Sequence, residues 1–214
     1  MNRKLLLALA AAATLPALAQ ADELVTFEGA SSFQSVSNFY NGGTDGAGVL
    51  GTSNFGISFT GAALALKNDE LGPYFSNAPT PATVMFATDD TAYMNVAAGF
   101  TGSLRLFYSY TNPTLQVGLD VVKIYSGENG SGTLLASMSL FPNAQLGCTD
   151  SPFCRFSPNS VQFAGIAKSV ALGGEAGFVA FDNIAITAVP EPTTYAMLLA
   201  GLCAMGFMAS RRRS

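Results

Sequence analysis

The sequence predicts an all-β fold: one antiparallel β-sandwich or jelly-roll-like domain set between two short hydrophobic ends. Three observations point to it. Short apolar runs recur along the middle of the chain, separated by clusters of Gly, Asn and Pro. One run, SLRLFYSY from Ser103 to Tyr110, repeats Leu104, Leu106, Tyr108 and Tyr110 at every second position, the period of a strand with one buried face. The connection SGENGSG, Ser126 to Gly132, is rich in residues that tolerate the positive φ angles of a tight turn between TLLASMSLF and GLDVVKIY.

The chain opens with Arg3 and Lys4, an apolar run from Leu5 to Leu18, and Ala19-Gln20-Ala21, the small-x-small pattern of a signal-peptidase site. Residues 1–21 are therefore expected to be a signal peptide, with Ala19 and Ala21 at the cleavage site and Asp22 as the first mature residue. The next 168 residues, 22–189, suffice for one domain with its own core. Strands are expected at LVTFEG, FGISFTGAALAL, ATVMFAT, SLRLFYSY, GLDVVKIY, TLLASMSLF and SVQFAGI. KSVAL and FVAFDNIAIT, joined by GGEAG, read as a closing hairpin, and NGGTDGAG, Asn41 to Gly48, as a flexible loop.

The C-terminus carries the chain's other hydrophobic segment. Thr193 to Ser210 holds 18 residues without a charge, which as a helix reach about 27 Å, close to the hydrocarbon thickness of a bilayer. The spacing predicts a transmembrane helix over 193–210. Pro192 suits its first turn, and Arg211, Arg212 and Arg213 act as a membrane stop on the cytoplasmic side. The lack of a polar face argues against a surface helix of a soluble domain.

Pro190-Glu191-Pro192, then a short apolar helix, then a terminal arginine cluster, resembles the PEP-CTERM sorting signal of exported bacterial proteins over residues 190–214. The resemblance implies cleavage near the motif by an exosortase, a membrane-embedded enzyme of exopolysaccharide-producing bacteria. It implies a precursor held transiently in the inner membrane and a mature form at the cell surface or outside. The two prolines favour an extended backbone, the shape a protease cleft binds.

Between Asp22 and Val189 there are 13 acidic and 5 basic side chains, a net charge of −8. Nucleic acid is therefore not an expected partner, since its phosphates meet no basic stripe. The chain has no histidine, which excludes Ser-His-Asp and Cys-His catalysis and His-ligated zinc. The acidic doublets Asp69-Glu70 and Asp89-Asp90 offer carboxylates for glycosidase chemistry, but neighbours on a strand face opposite ways and such doublets are commoner in solvated turns. No enzymatic activity is expected. Cys148 and Cys154, in CTDSPFC, are expected to form a disulfide in an oxidising compartment, while Cys203 within the apolar segment has no assigned role.

The framing of the domain by VTFEG and FDNIAIT also resembles jelly-roll carbohydrate-binding modules, whose first and last strands neighbour each other and carry acids that hold a structural calcium. The resemblance makes Glu28 and Asp182 the calcium ligands. In an unbroken strand Asp182 shares a face with Phe178, Ala180, Ile184 and Ile186, where an inward carboxylate needs a cation or hydrogen-bond donors. A bulge at Asp182-Asn183 would instead turn it to water. Sugar-stacking candidates are Phe39, Tyr40, Tyr74, Phe75 and Tyr93, with core packing as their other reading. Two functions follow: a non-enzymatic surface or matrix protein associated with exopolysaccharide, or a calcium-stabilised carbohydrate-binding module.

Overall fold

The computed structural model describes residues 22–111 and 119–189, together with 201–203, 205–206 and 208. Ten strands are present among them: β1 (Asp22–Val25), β2 (Ile57–Phe59), β3 (Ala63–Leu66), β4 (Val84–Ala87), β5 (Tyr93–Tyr110), β6 (Leu119–Tyr125), β7 (Leu134–Leu140), β8 (Ser157–Gln162), β9 (Ala167–Ala171) and β10 (Val179–Ala188). All pair antiparallel in one sheet that folds over on itself, giving an open, sandwich-like all-β architecture.

The fold-over is made by β5, which begins ten residues before the run that the two-residue period picks out. Its first turns, Tyr93 to Val96, pair with β2 on one edge and β9 on the other, and β9 passes the ladder to β6 and β7. From Phe100, which still pairs with Ala167 of β9, its remaining residues pair with β10 and, from Ser103 to Tyr108, with β8. The change of layer falls at Gly99 (φ +87°) and Gly102 (φ +81°), left-handed positions that a side chain enters only with strain. A Cβ at Gly99 would also lie 2.4 Å from Ile166 Cγ2, whereas at Gly102 it meets open space.

The core lies between the two halves. Ile57, Met94, Phe100, Leu104, Leu106, Tyr110, Ile124, Leu140, Val170, Phe181 and Ile186 are all buried there, so the alternation read at 104–110 is the one that faces inward. A second, smaller core lies on the other face of β3, β4 and β10. Leu66, Phe75, Val84, Phe153 and Ala180 form it, beneath the segments 67–83 and 143–156. Burying apolar surface on both sides of this half-sheet explains why Ala180 and Phe181 are both fully buried although adjacent.

Three expectations are corrected here. KSVAL and FVAFDNIAIT do not form a hairpin: β9 pairs with β5 and β6, whereas β10 pairs with β1, β4 and β5. GGEAG therefore crosses between layers. Second, β1 stops at Val25, and Glu28 lies beyond it in a turn. Third, the parity along β10 breaks at a bulge, where Asp182 opposes Phe107 and Ala185 opposes Arg105. Phe181, Ile184 and Ile186 share the main core, which puts Asp182 on the opposite face from Ile184 and Ile186, yet the segment 77–83 covers it and it is fully buried.

The signal peptide at 1–21, with Ala19 and Ala21, lies outside the described residues, as do Pro190, Glu191, Pro192, Arg211, Arg212 and Arg213. Of the segment 193–210, residues 201–203, 205–206 and 208 are helical, and among the described residues no helix is long and apolar enough to cross a membrane.

Candidate functional site

The pairing of β1 with β10 ends at Val25 and Ile184. Around that end each chain takes a left-handed residue, Phe27 at φ 63° and Asn183 at φ 48°. Non-glycine residues hold this conformation when the surroundings impose it, and such residues cluster at sites. Here they aim Glu28 and Asp182 at one stretch of chain, Thr80 to Thr83. Pro79 and Pro81 flank Thr80 in a bent connection that leads into β4, and their fixed φ angles restrict that stretch.

Glu28 Oε1 accepts the backbone N–H groups of Ala82 (3.1 Å) and Thr83 (2.9 Å). Asp182 Oδ2 accepts the N–H of Thr80 at 2.9 Å, and Oδ1 accepts that of Asn183 at 2.7 Å. The Thr80 hydroxyl oxygen sits 2.7 and 2.8 Å from the two Asp182 oxygens, 3.2 Å from Asn183 Oδ1 and 3.3 Å from the Thr26 carbonyl. A hydroxyl carries one proton, so it satisfies one of these four acceptors at a time. The cluster thus holds more acceptors than donors, all of them oxygen.

Its electrostatics follow from burial. Desolvation pushes the Asp182 carboxyl up to about 6, the charge of Glu28 adds to the rise, and the hydrogen bonds from Thr80 and Asn183 oppose it. Nearby, the Thr83 and Tyr40 hydroxyls are buried and make no hydrogen bond among the described residues. Burial pushes the Tyr40 phenol up to about 12, with Glu28 again adding, while Thr26 and Phe27 lie close but outside hydrogen-bonding geometry.

This donor set fits a hard cation. Calcium takes six to eight oxygens from carboxylates, carbonyls and amide side chains. Glu28, Asp182, the Thr26 carbonyl and Asn183 Oδ1 are such groups, and the surplus of acceptors around Thr80 is what a cation would relieve. The sequence singled out Glu28 and Asp182 but missed Thr26, Thr80 and Asn183. The visible signals were the Pro-Thr-Pro tripeptide and the Asp-Asn step; the register that joins them, over a hundred residues apart, was not.

The Cys148–Cys154 disulfide is formed, with Cα atoms 5.7 Å apart. Its loop is fastened to the same covering segment: Phe75 pairs with Phe153, Ser76 N donates to the Phe153 carbonyl, and the Ser76 and Ser151 hydroxyls lie 2.9 Å apart. Asn77 Nδ2 donates to the Cys154 carbonyl at 3.2 Å. Cys148, Cys154 and Asp150 lie close together, but a disulfide leaves no thiolate to bind a metal. Among the other candidates, Phe39, Tyr40 and Phe75 are buried and unavailable to a sugar, while Tyr74 and Tyr93 are half-buried. Asp69-Glu70 and Asp89-Asp90 lie exposed in turns. A shallow groove of about 510 Å³ on the outer face of β1, β10, β5 and β8 exposes Leu24, Arg105, Phe107 and Pro158.

The two ends of the domain meet at one edge of the sheet. Asp22 pairs with Thr187, accepts its hydroxyl at 2.6 Å and binds Arg105 at 2.7 Å. These contacts, Thr187 first, hold the Asp22 carboxyl below the usual carboxylate range. Val189 N donates to the Gly99 carbonyl at 2.9 Å, one residue before Pro190.

From residue 188 to 213, where the last core strand ends, the sequence matches the profile of the PEP-CTERM protein-sorting motif. This chain carries a PEP-CTERM sorting motif. No curated protein matches the chain as a whole. Among solved structures it is similar to the K2 cleaved adhesin domain of Lys-gingipain, at 15% identity and a TM-score of 0.48 over 78% of this chain and 99% of that one. It is also similar to a β-1,3-glucan-binding family 6 carbohydrate-binding module from Bacillus halodurans, at 11% identity and a TM-score of 0.36 over 78% and 96%. A further family 6 carbohydrate-binding module matches at 12% identity and a TM-score of 0.37 over 78% and 94%.

Proposed function

We propose that this protein is an exported, non-enzymatic surface or matrix component, sorted through its PEP-CTERM motif, cut there by an exosortase, and associated with exopolysaccharide. One observation carries the proposal. The motif begins at residue 188, where β10 ends, and among the described residues the last backbone anchor of the domain is Val189. A cut at Pro190-Glu191-Pro192 therefore removes the tail and spares every core strand. Signal cleavage before Asp22 likewise leaves β1 whole. The absence of histidine and the exposed, turn-bound acidic doublets support a role without catalysis.

Intact mass of the mature protein, from host cells with and without the exosortase, tests this. The expected product starts at Asp22 and ends between Val189 and Pro192 only when the enzyme is present. An unchanged full-length chain in both strains refutes it.

A second reading is favoured by the oxygen cluster around Thr80: a calcium-stabilised carbohydrate-binding module. Glu28, Asp182, Thr26 and Asn183 would hold the ion, which would supply the positive charge that two facing carboxylates need. Calcium binding only to the folded state raises the melting temperature by mass action. Melting with calcium and with chelator is the measurement, and identical transitions remove the metal. Saturable glycan binding that is lost in Phe107→Ala, at the outer groove, would favour the module over bulk association with the matrix.

A further inference from the structure

Given the tail cleavage proposed above, on which this step rests, we infer that the fold itself gates the cut: the processing enzyme takes only chains in which the end of β10, Ile186 to Val189, is out of the sheet.

The sorting motif and the sheet share residues. The match begins at Ala188, which is also the last residue of β10, and includes Val189, whose N–H donates to the Gly99 carbonyl at 2.9 Å. Pro190, Glu191 and Pro192 are all that the sequence places between that hydrogen bond and the uncharged run from Thr193. The motif thus follows the domain without a linker.

A cleft that takes its substrate as an extended strand binds it through main-chain hydrogen bonds. On the domain side of the motif those main-chain groups are already in use. Ile186 opposes Glu23 of β1 and Leu104 of β5, and Thr187 opposes Asp22 and Thr101, so β10 has a neighbour on each edge here. Ala188 opposes Phe100 on the β5 side. Side chains add to the hold. Ile186 is buried in the main core, and the Asp22 carboxylate accepts the Thr187 hydroxyl at 2.6 Å and pairs with Arg105 at 2.7 Å. A strand set between two neighbours presents no free edge to an incoming cleft. The enzyme must therefore meet this end before it docks, or wait for it to open, and a terminal segment opens at lower cost than the whole domain.

The cut consumes one water: its hydroxyl goes to the carbonyl that stays with the domain, and a hydrogen goes to the nitrogen that leaves with the tail. Ile186 and Thr187 then return to their places, so the product keeps β10. Where opening and closing are fast, the rate of cutting follows the population of the open form. Every contact that holds Ile186 to Val189 then slows processing, and a flexible linker before the motif removes that control.

The test uses the full chain in its host, with conversion of precursor to mature protein followed by pulse-chase. One variant carries an insert of about eight Gly and Ser residues between Val189 and Pro190, and a second carries the same insert after Pro192. The first should shorten the half-time at least about fivefold, the effect of one backbone hydrogen bond on the open population, with the domain's melting temperature unchanged. The second lengthens the chain but leaves Pro190 directly after Val189, and should not shorten the half-time. A half-time that the first insert leaves unchanged, or that both inserts shorten equally, overturns the gate. Failure of the unaltered chain to be cut when the enzyme is present is a separate result, and refutes the processing itself.

Discussion

Asp182 is fully buried and, among the described residues, carries the strongest carboxylate perturbation toward the neutral form. Its folded-state value, about 6, lies above the ordinary 3.8, so between those values the folded chain keeps a proton that the unfolded chain has released. Metal-free stability is then greatest below 3.8 for this group, and it declines as pH rises through about 6. The full difference is on the order of 3 kcal/mol. Asp182→Asn should flatten this part of the profile, as read by chemical denaturation at a series of pH values. Saturating calcium should reverse the slope if the ion binds, because it favours the ionised form. Thr80 is the companion residue: Thr80→Val leaves Asp182 without its hydroxyl donor and should cost about 1 to 3 kcal/mol at neutral pH, again by denaturation.

At the scale of elements, the segment 74–83 is a strap with two fastenings, the disulfide loop at Ser76 and Asn77 and the carboxylate pair at Thr80 to Thr83. Replacing Cys148 and Cys154 by serine should lower stability by about 2 kcal/mol, the chain-entropy value for so short a loop. The loss should extend to faster hydrogen exchange at the Thr80 and Thr83 amides, whereas amides in the middle of β5 should be unaffected below the global transition. The turn in β5 makes a second comparison. Gly99→Ala adds a collision with Ile166 to the strain of positive φ, and Gly102→Ala adds the strain alone. Gly99→Ala should therefore be the more destabilising, with the strain itself near 1 to 2 kcal/mol. Of these elements, the two-residue period exposed the inward face of β5, and glycine-rich turn chemistry exposed the β6–β7 hairpin. The first part of β5 stayed hidden because Gly99 and Gly102 look like a loop when read locally. The β9–β10 hairpin was misread because adjacency along the chain is the default for strands, and here the two belong to different layers.

For the whole molecule, the decisive geometry is that both junctions lie side by side at the β1–β10 edge. Asp22 and Thr187 are partners, and among the described residues Val189 is the last one bonded to the sheet. A chain ending at Val189 should melt at the temperature of the tail-bearing form. One ending at Ile184 gives up the Asp22–Thr187 and Glu23–Ile186 pairs and the buried Ile186, and should melt measurably lower. Equal melting of the two would mean that the last strand contributes nothing beyond its bulge. The sequence by itself determined the strand-rich class, the disulfide, the sorting motif and the acidic, histidine-free character of the domain, because period, spacing and composition are local quantities. Only the tertiary structure decided that Asp182 is buried against Thr80 and that Glu28 faces the same strap. Each of those depends on register and on contacts between residues far apart in the chain, which no local pattern encodes.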